Sequence, residues 1–472
     1  MESANPDQPA LEAALRHSVA YLRSLATAPV GATRTLEELR DRLAGPLPPC
    51  ATDPEQVIDE LAAGVEGGLL GSAGGRFFAW VIGGSVPSAL AADWLTSAWD
   101  QNAALYACSP AEAVIEEVCG AWLKELLGLP PDASFALTTG CQMAHFTCLA
   151  AARNAVLSAR GWDVERMGLA GAPPIRVLCN SHAHGSALRV LRFLGLGTDC
   201  ARNLEVNDRG QVEPAALERA LASCPDPAIV LLCAGDINMG AFDRFRELIA
   251  IARAFGAWVH VDGAFGLWAN ASPTHRHLLE GVEGADSWAT DGHKWLNVPY
   301  DSGYAFVAAG SAHRASMSMR ASYLTHAEEA RDPFDWNPEW SRRGRGVATY
   351  AAIRELGRRG VAALVDRCCL HARALVAGMG ALEGAEVMWE PVINQGLLRF
   401  PDPRPGASQE DHDAHTDRII AEIVGTGRVF VGGTTWRGRR CMRISVCNWR
   451  TTEADVAVAV AAVRDVLAAE RG

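Results

Sequence analysis

The stretches 257-AWVHVDGAFG-266 and 286-DSWATDGHKW-295 decide the predicted fold. The first begins with the apolar run 257–261 and the second with the strand-like segment 286–290, as expected of buried strands. Runs of this kind predict strands at residues 176–179, 229–233, 257–262, 286–290 and 303–308. Helical spacing of apolar residues predicts helices at 110–127, 142–160, 185–194 and 242–255. Short strands alternating with helices predict an α/β fold with a mostly parallel sheet covered on both faces.

The regions on either side of this alternating pattern predict separate units. Residues 1–75 show helical spacing interrupted by Pro and Gly, which predicts an N-terminal helical arm. Residues 346–472 combine helical segments with strand-like runs at 396–400 and 441–446, and a polar loop is predicted at 401–415. We therefore predict three units: an arm at 1–75, a large α/β domain at 76–345 and a small C-terminal α+β domain at 346–472.

Composition makes nucleic acid and membranes poor partners for this chain. Its 472 residues carry 43 Lys and Arg against 55 Asp and Glu, a formal net charge of −12, which disfavours binding to phosphates. Residues 1–22 lack the basic and short apolar segments of a secretory signal, and polar residues interrupt the longest uncharged stretches, so no membrane span is predicted. The 13 cysteines have no regular spacing, which predicts reduced thiols in a cytoplasmic protein.

Only two lysines, Lys124 and Lys294, occur among the 43 basic residues. Arginine replaces lysine as a surface charge but not as an amine nucleophile, so a retained lysine needs an explanation. Lys124 is explained as a charge on a predicted helix, beside Glu125. Lys294 lies between His293 and Trp295, where partial desolvation is expected to lower its pKa and free the amine for Schiff-base chemistry. The alternative for Lys294 is a surface or helix-cap charge.

Three further features accompany Lys294. Asp262 ends a predicted strand, where ligands of open parallel sheets gather; it either pairs with the ring nitrogen of a pyridine cofactor or caps a turn. The turn at 138–142 precedes a helix whose free N–H groups suit a phosphate, although such turns also simply connect elements. His184 follows another strand and either stacks on a ring or is structural. With His182 it lacks a third ligand at sensible spacing, so no metal is predicted.

These motifs resemble those of the pyridoxal-phosphate-dependent group II decarboxylases, the aromatic-L-amino-acid and glutamate decarboxylase group of fold type I. The resemblance rests on WVHVDGAFG around Asp262, SWATDGHKWLNVPYDSGYAFV around Lys294, NSHAHGSA around His184 and TTGCQMAHF at the phosphate turn. It extends over most of residues 75–455. It implies a large domain with the PLP-dependent transferase-like fold and a homodimer that acts on an L-amino acid.

The resemblance also implies roles for individual residues. Lys294 holds pyridoxal 5'-phosphate as a Schiff base, Asp262 binds the pyridine nitrogen, and His184 and Ala264 enclose the ring. The other implied cofactor contacts are Gly140, Cys141, Gln142, Asn238 and His293. The bond to the substrate carboxylate then breaks, and the ring system takes up the electrons in a quinonoid intermediate. Lys294, Asp262 and His184 are thus the implied catalytic residues.

Departures from the family pattern leave three functions open. Asp291 stands where an Asn is common. These decarboxylases carry a proton-donating tyrosine in a downstream loop, and this chain has Trp336 near that place. Tyr323 comes too early in the loop to be that tyrosine. The first function is an L-amino-acid decarboxylase, with Trp80 and Tyr106 favouring an aromatic or apolar substrate side chain. The alternative, favoured by Trp336, is a decarboxylating aldehyde synthase or a carbon–carbon lyase. The third is a catalytically inactive binding protein.

Overall fold

The computed structural model describes residues 5–319 and 330–471, and its largest feature there is a seven-stranded sheet. The strands are β1 (Ser134–Thr138), β2 (Arg176–Asn180), β3 (Ala201–Leu204), β4 (Ala228–Cys233), β5 (Trp258–Asp262), β6 (Ser287–Asp291) and β7 (Gly303–Val307). They lie in the order β1-β7-β6-β5-β4-β2-β3. Only β7 runs antiparallel to its neighbours, β1 and β6, and the other pairs are parallel. The predicted mostly parallel sheet is confirmed.

The described residues also form 14 α-helices. They are α1 (Gln8–Ser24), α2 (Leu36–Leu43), α3 (Pro54–Val65), α4 (Pro87–Trp99), α5 (Pro110–Leu127), α6 (Cys141–Ser158), α7 (Val164–Met167), α8 (Gly185–Phe193), α9 (Pro214–Ala222), α10 (Phe245–Ala254), α11 (Gly310–Met317), α12 (Gly346–Gly380), α13 (Gln409–Gly425) and α14 (Glu453–Ala469). The predicted helices match α5, α6, α8 and α10 closely. In the part of the chain that the structure describes, no helix is both long and apolar enough to cross a membrane.

The two faces of the large sheet bury different apolar clusters. Leu178 of β2 packs in one cluster with side chains of α9 and α10. Its neighbours Val177 and Cys179 pack in another with side chains of α6 and α8. Successive side chains of a strand point to opposite faces, so a strand covered by helices on both faces needs apolar residues at nearly every position. This requirement explains why a strand such as β4, AIVLLC, is a continuous apolar run.

The strand register brings three chain segments to one edge of the sheet. Gly303, the first residue of β7, pairs with Thr138 at the end of β1 and with Asp291 at the end of β6. Asp262 ends β5, which runs parallel to β6. A Cβ at Gly303 would collide with the backbone of Gly140, so glycine is needed where the turn after β1 approaches β7. The carboxyl ends of β1, β5 and β6 thus meet where such sheets bind ligands.

The C-terminal part contains a four-stranded antiparallel sheet in the order β10-β11-β9-β8. Its strands are β8 (Glu386–Trp389), β9 (Gln395–Arg399), β10 (Gly432–Trp436) and β11 (Arg439–Ser445). The prediction of a loop throughout 401–415 is wrong, because α13 begins at Gln409. Ser408 and Asp411 form a capping box that satisfies backbone N–H groups at this helix start.

The N-terminal arm is joined to the rest of the chain by Arg76. Its guanidinium donates to the carbonyls of Leu25 at 3.2 Å and Ala28 at 2.8 Å, and to that of Arg428 at 2.9 Å. One side chain therefore links the end of α1 to the segment between α13 and β10. The division of the chain at residues 75 and 345 stays a prediction.

Candidate active site

Asp291 and Lys294 form the centre of the site at the ligand-binding edge of the sheet. Lys294 follows the end of β6, and its Nζ lies 2.9 Å from Asp291 Oδ2. The other carboxylate oxygen of Asp291, Oδ1, accepts a 2.5 Å hydrogen bond from the backbone N–H of Cys141, the first residue of α6. Asp291 is 2% exposed, so these donors, rather than water, stabilise its charge.

The pKa of Lys294 contradicts the expectation from the sequence. Burial is the largest single influence and favours the neutral amine, but the charge and hydrogen bond of Asp291, with contributions from Cys141 and Asp262, together outweigh it and raise the pKa of Lys294. The predicted lowering is therefore wrong, because the sequence did not reveal that the carboxylate three residues earlier reaches Nζ. At neutral pH the lysine is an ammonium group, which must lose a proton before it can act as a nucleophile.

The predicted phosphate turn, Gly140–Cys141–Gln142, leads into the start of α6 and has the properties of an anion site. The backbone N–H groups of Gln142 and Met143 have no acceptor within residues 5–319 and 330–471. Free N–H groups at a helix start carry partial positive charge and bind anions. A Cβ on Gly140 would lie 3.0 Å from His293 Cε1, so the missing side chain leaves the turn open.

Asp262 presents a charged carboxylate at the end of β5. Its side chain is 13% exposed, and one oxygen, Oδ2, lies 3.5 Å from Nε2 of the fully buried His145. Burial is the largest single influence and favours the protonated carboxyl, yet His145, with contributions from His184 and Lys294, outweighs it, so the pKa of Asp262 stays well below the usual range. The backbone N–H of Ala264 donates to Oδ1 at 3.2 Å, which places that small residue beside the carboxylate.

The two predicted site histidines are held in different ways. His184 is the N-cap of α8, where Nδ1 accepts a 3.3 Å hydrogen bond from Ser186 N–H. His293 is buried; its Nδ1 accepts from Ser302 N–H at 3.1 Å, and its ring stacks on Tyr300 with centroids 4.2 Å apart. Desolvation lowers the pKa of both imidazoles, so both are neutral at pH 7. Asp262 also acts electrostatically on His184.

The C-terminal sheet contacts one predicted site residue, Asn238, and acts electrostatically on another, His184. Asn238, predicted near the cofactor, accepts a 2.9 Å hydrogen bond at Oδ1 from Thr434 Oγ1 of β10. Arg443 of β11 acts electrostatically on His184. Burial lowers the pKa of Arg443, although the guanidinium remains charged. The sequence analysis missed Arg443, because nothing in its local sequence distinguishes it from the other arginines of the chain.

Trp80 and Tyr106, the predicted pocket residues, lie on separate segments, and only the segment of Trp80 contacts the lysine loop within the described part of the chain. Trp80 is 50% exposed, and a Cβ at Gly83, in the same segment, would collide with the carbonyl of Lys294. Tyr106 is partly buried, and its backbone N–H donates to Asp332 Oδ1 at 3.0 Å. The structure therefore brings the segment of Trp80 to the lysine loop and holds Tyr106 through its backbone.

Trp336 lies at the opposite end of β1 from Lys294. Its ring packs edge-on against that of His313, with centroids 5.2 Å apart, and His313 Nδ1 lies 2.9 Å from Ser134 Oγ. Ser134 begins β1, whereas the turn facing Lys294 follows the end of this strand. A strand of that length spans roughly 13–17 Å, so within one chain Trp336 is separated from the lysine. Tyr323 lies outside the described residues.

Asn297 is a residue of this region that the sequence analysis missed. It is fully buried in the left-handed conformation, with φ 58°, which Asn adopts more readily than most residues. Its Oδ1 accepts hydrogen bonds from the backbone N–H groups of Gly84 at 3.0 Å and Trp449 at 2.9 Å, and its Nδ2 donates to Cys447 O at 2.8 Å. The loop that carries Lys294 is thereby fixed to two distant segments.

His145 also belongs to a group of metal-ligand types that the sequence analysis did not foresee. Cys141 Sγ, His145 Nε2 and an Asp262 oxygen lie within 4.8 Å of one another. Burial raises the pKa of the Cys141 thiol well above its usual value. The group combines α6 with β5, and its sequence spacing is therefore not that of a metal motif.

The groups at this edge fit the cofactor that the motifs imply. An amine, a charged carboxylate and a helix start with free N–H groups match the aldehyde, the pyridine nitrogen and the phosphate of pyridoxal phosphate. Lys294, Asp262 and the turn at 140–142 supply these groups from three elements whose ends meet.

Known proteins share both the sequence pattern and the fold. The pyridoxal-dependent decarboxylase conserved domain matches residues 38–400. An aromatic-L-amino-acid decarboxylase of Bacillus atrophaeus is 25% identical over 440 residues, covering 92% of this chain and 89% of the relative. A human cysteine sulfinic acid decarboxylase is 29% identical over 350 residues, covering 72% of this chain and 70% of the relative. The crystal structure of Oryza sativa TDC with PLP and tryptamine has a TM-score of 0.93 at 23% identity, covering 100% and 99% of the two chains.

Replacing Asp291 with Asn tests its control of Lys294. The amide still accepts the Cys141 N–H but no longer neutralises the ammonium, so the pKa of Lys294 falls. Only the neutral amine attacks an aldehyde. The rate at which apoprotein takes up pyridoxal phosphate, followed by visible absorbance across pH, will therefore reach half its maximum at a pH lower by about one unit.

The control for this experiment is Asp226→Asn, which removes a carboxylate paired with Arg176 at 3.1 Å, away from the site. We expect the wild-type pH midpoint in this variant. A midpoint that is unchanged or higher in Asp291→Asn would contradict the ion pair with Lys294.

Proposed function

The chain belongs to the pyridoxal-dependent decarboxylase family, carboxy-lyases that act on amino acids, and we propose that it decarboxylates an L-amino acid with an aromatic or apolar side chain. Its cofactor is pyridoxal phosphate. The observation that carries the proposal is the meeting of Lys294, Asp262 and the start of α6 at one edge of the sheet.

We propose the following division of tasks among the residues of the site. When bound, pyridoxal phosphate supplies a sink for the electrons released with CO₂. Lys294 holds the cofactor through Nζ, once it has lost the proton that Asp291 favours. The backbone N–H groups of Gln142 and Met143 bind the phosphate. Asp262, kept charged by its neighbours, holds a proton on the ring nitrogen.

His184 is suited to both stacking and proton transfer. Its Nδ1 is engaged by Ser186, whereas its Nε2 has no hydrogen-bond partner in the described part of the chain. A neutral imidazole whose Nδ1 accepts a hydrogen bond carries its proton on Nε2, and that proton can be delivered at the site. We therefore propose His184 as the group that exchanges a proton with the substrate.

Exposed aromatic rings beside the lysine loop support an aromatic or apolar substrate. Trp80 is 50% exposed and Tyr300 is 58% exposed in the single chain. Tyr300 stacks on His293, the residue before Lys294. Aromatic rings offer apolar faces to a substrate side chain and retain a polar edge.

The alternative function, an aldehyde synthase or carbon–carbon lyase, is supported by Trp336. The loop offers an indole where a tyrosine is common, and an indole N–H is not an acid that protonates carbon. In one chain, moreover, Trp336 packs against His313 and lies apart from Lys294. An inactive binding protein is less favoured, because it would not need a buried lysine neutralised by a carboxylate.

We also propose that the chain forms a homodimer in the cytoplasm. Exposed apolar side chains cluster on two helices: Leu11 at 57% and Leu15 at 51% on α1, and Leu95 at 48% and Trp99 at 49% on α4. Such patches mark surfaces that another protein covers. Sedimentation velocity at micromolar concentration should give twice the mass of one chain, and a monomer would contradict the proposal.

A panel of L-amino acids tests the reaction. The purified holoenzyme is incubated with each, and CO₂, amine, aldehyde and peroxide are measured. We expect CO₂ and amine in equal amounts, with the highest rates for aromatic or apolar substrates. Aldehyde with peroxide would instead establish the alternative, and turnover restricted to acidic substrates would contradict the proposed pocket.

The two lysines of the chain provide a matched pair of variants. Lys294→Arg keeps the positive charge beside Asp291 but cannot bond covalently to the cofactor aldehyde, so we expect a folded protein without the visible absorbance of bound cofactor and with activity reduced at least about 10³-fold. Lys124→Arg is the control, since Lys124 Nζ donates to the carbonyls of Pro131 and Ala133, away from the site. Near-normal absorbance in Lys294→Arg would contradict the assignment.

A further inference from the structure

A row of buried polar side chains leads through the core to Asp262. Trp258, His260 and Asp262 alternate along β5, and residues two apart in a strand share one face. That face lies against α6, which contributes His145. Ser287 of β6 is the register partner of His260.

Four contacts connect these side chains. Trp258 Nε1 donates to Ser287 Oγ at 2.9 Å, Ser287 Oγ lies 2.9 Å from His260 Nδ1, and His260 Nε2 lies 2.8 Å from His145 Nδ1. His145 Nε2 then lies 3.5 Å from Asp262 Oδ2. Trp258 is 7% exposed and Ser287, His260 and His145 are 0% exposed, so each polar atom depends on its neighbour in the row.

Hydrogen-bonding capacity gives this row a direction. An indole N–H only donates, so Ser287 Oγ accepts from Trp258 and can donate its own proton to His260 Nδ1. His260 then carries its proton on Nε2 and donates to His145 Nδ1. His145 is left with a proton on Nε2, where it faces the carboxylate of Asp262.

The opposite direction is unfavourable at the Asp262 end. If neutral His145 donated from Nδ1, a lone pair on Nε2 would face a negative carboxylate at 3.5 Å. Burial also lowers the pKa of His260 to about 3, so this imidazole is neutral and donates from one nitrogen only. The thiol of Cys141, 3.4 Å from the same His145 Nε2, is too weak an acceptor to compete with a carboxylate.

We propose that Trp258, Ser287 and His260 are positioning residues that fix the Nε2 proton of His145 toward Asp262, and so keep the shared proton on the cofactor nitrogen rather than on Asp262. The inference rests on the proposed function, because that nitrogen belongs to pyridoxal phosphate. A donor to a carboxylate favours its charged form. Without the donor, a poorly solvated carboxylate takes up the proton instead, and the ring nitrogen becomes neutral.

The first experiment uses apoprotein labelled with ¹⁵N-histidine and needs no cofactor. Ser287→Ala removes the group that donates to His260 Nδ1. We expect the imidazole nitrogen signals of both His260 and His145 to shift, although Ser287 contacts only His260 of the two. The signals are assigned by their loss in His260→Gln and His145→Gln.

Thr147→Val is the matched control for this experiment. It removes a buried hydroxyl from α6, the helix that carries His145, but this hydroxyl donates to the Met143 carbonyl at 2.9 Å and lies outside the row. We expect no shift of either imidazole in this variant. A shift in Ser287→Ala that is confined to His260 would overturn the proposal.

The second experiment reads the cofactor itself. Holoenzyme is prepared with pyridoxal phosphate that carries ¹⁵N in the ring, and the nitrogen signal is followed between about pH 6 and 9. We expect a protonated nitrogen in the wild type and a shift toward the unprotonated value in Ser287→Ala and, more strongly, in His145→Leu. His145→Gln, which retains an N–H donor, should restore most of the wild-type signal.

Kinetics supply a further readout. We expect kcat of Ser287→Ala to fall about tenfold with KM changed less than about twofold, because the effect reaches the cofactor and not the substrate contacts. Equal ring protonation in the wild type, Ser287→Ala and His145→Leu would overturn the proposal. If Ser287→Ala does not fold, Trp258→Phe removes the first donor of the row and tests the same shifts.

Failure of the proposed function would be recognised separately. A wild-type protein that binds no cofactor, or that releases no CO₂ from any amino acid, would refute the function. The apoprotein spectra would still report whether Ser287 acts on His145 through His260.

Discussion

The site depends on the burial of a carboxylate and an ammonium group as a pair. Asp291 is 2% exposed, and an isolated charge in that position would be costly. The ammonium group of Lys294 pairs with one carboxylate oxygen of Asp291, and the backbone N–H of Cys141 donates a hydrogen bond to the other. Because these partners belong to the lysine loop and to the start of α6, one side chain fixes the amine relative to the phosphate turn.

The charge of Asp262 is stabilised differently from that of Asp291. Its charge is maintained chiefly by a hydrogen-bond donor, His145, which comes from the next layer of the fold. The two carboxylates therefore respond to different parts of the molecule. Asp291 is coupled to the lysine, whereas Asp262 is coupled to the core beneath the sheet.

The sequence predicted the features that depend on local pattern. Asp262 is predicted because it ends an apolar strand, and Lys294 because it is one of two lysines in the chain and lies between His293 and Trp295. His145, Asn297 and Arg443 were missed, because their importance arises only when distant segments meet. The alternation of Trp258, His260 and Asp262 is present in the sequence. Because the strand is mostly apolar, however, nothing in it indicates that these three polar side chains form a connected row. The start of α13 was missed because a polar helix face resembles a loop.

Asn297 has a consequence for protein engineering. Its side chain forms hydrogen bonds with backbone atoms of residues 84, 447 and 449. The position of the lysine loop therefore depends on the position of the segment that follows the last C-terminal strand. Chimeras that exchange the C-terminal region between relatives therefore need to preserve the path of the backbone at 447–449. Otherwise these hydrogen bonds to Asn297 are lost or shifted, and the Lys294 amine is displaced even though every residue that contacts the cofactor has been retained.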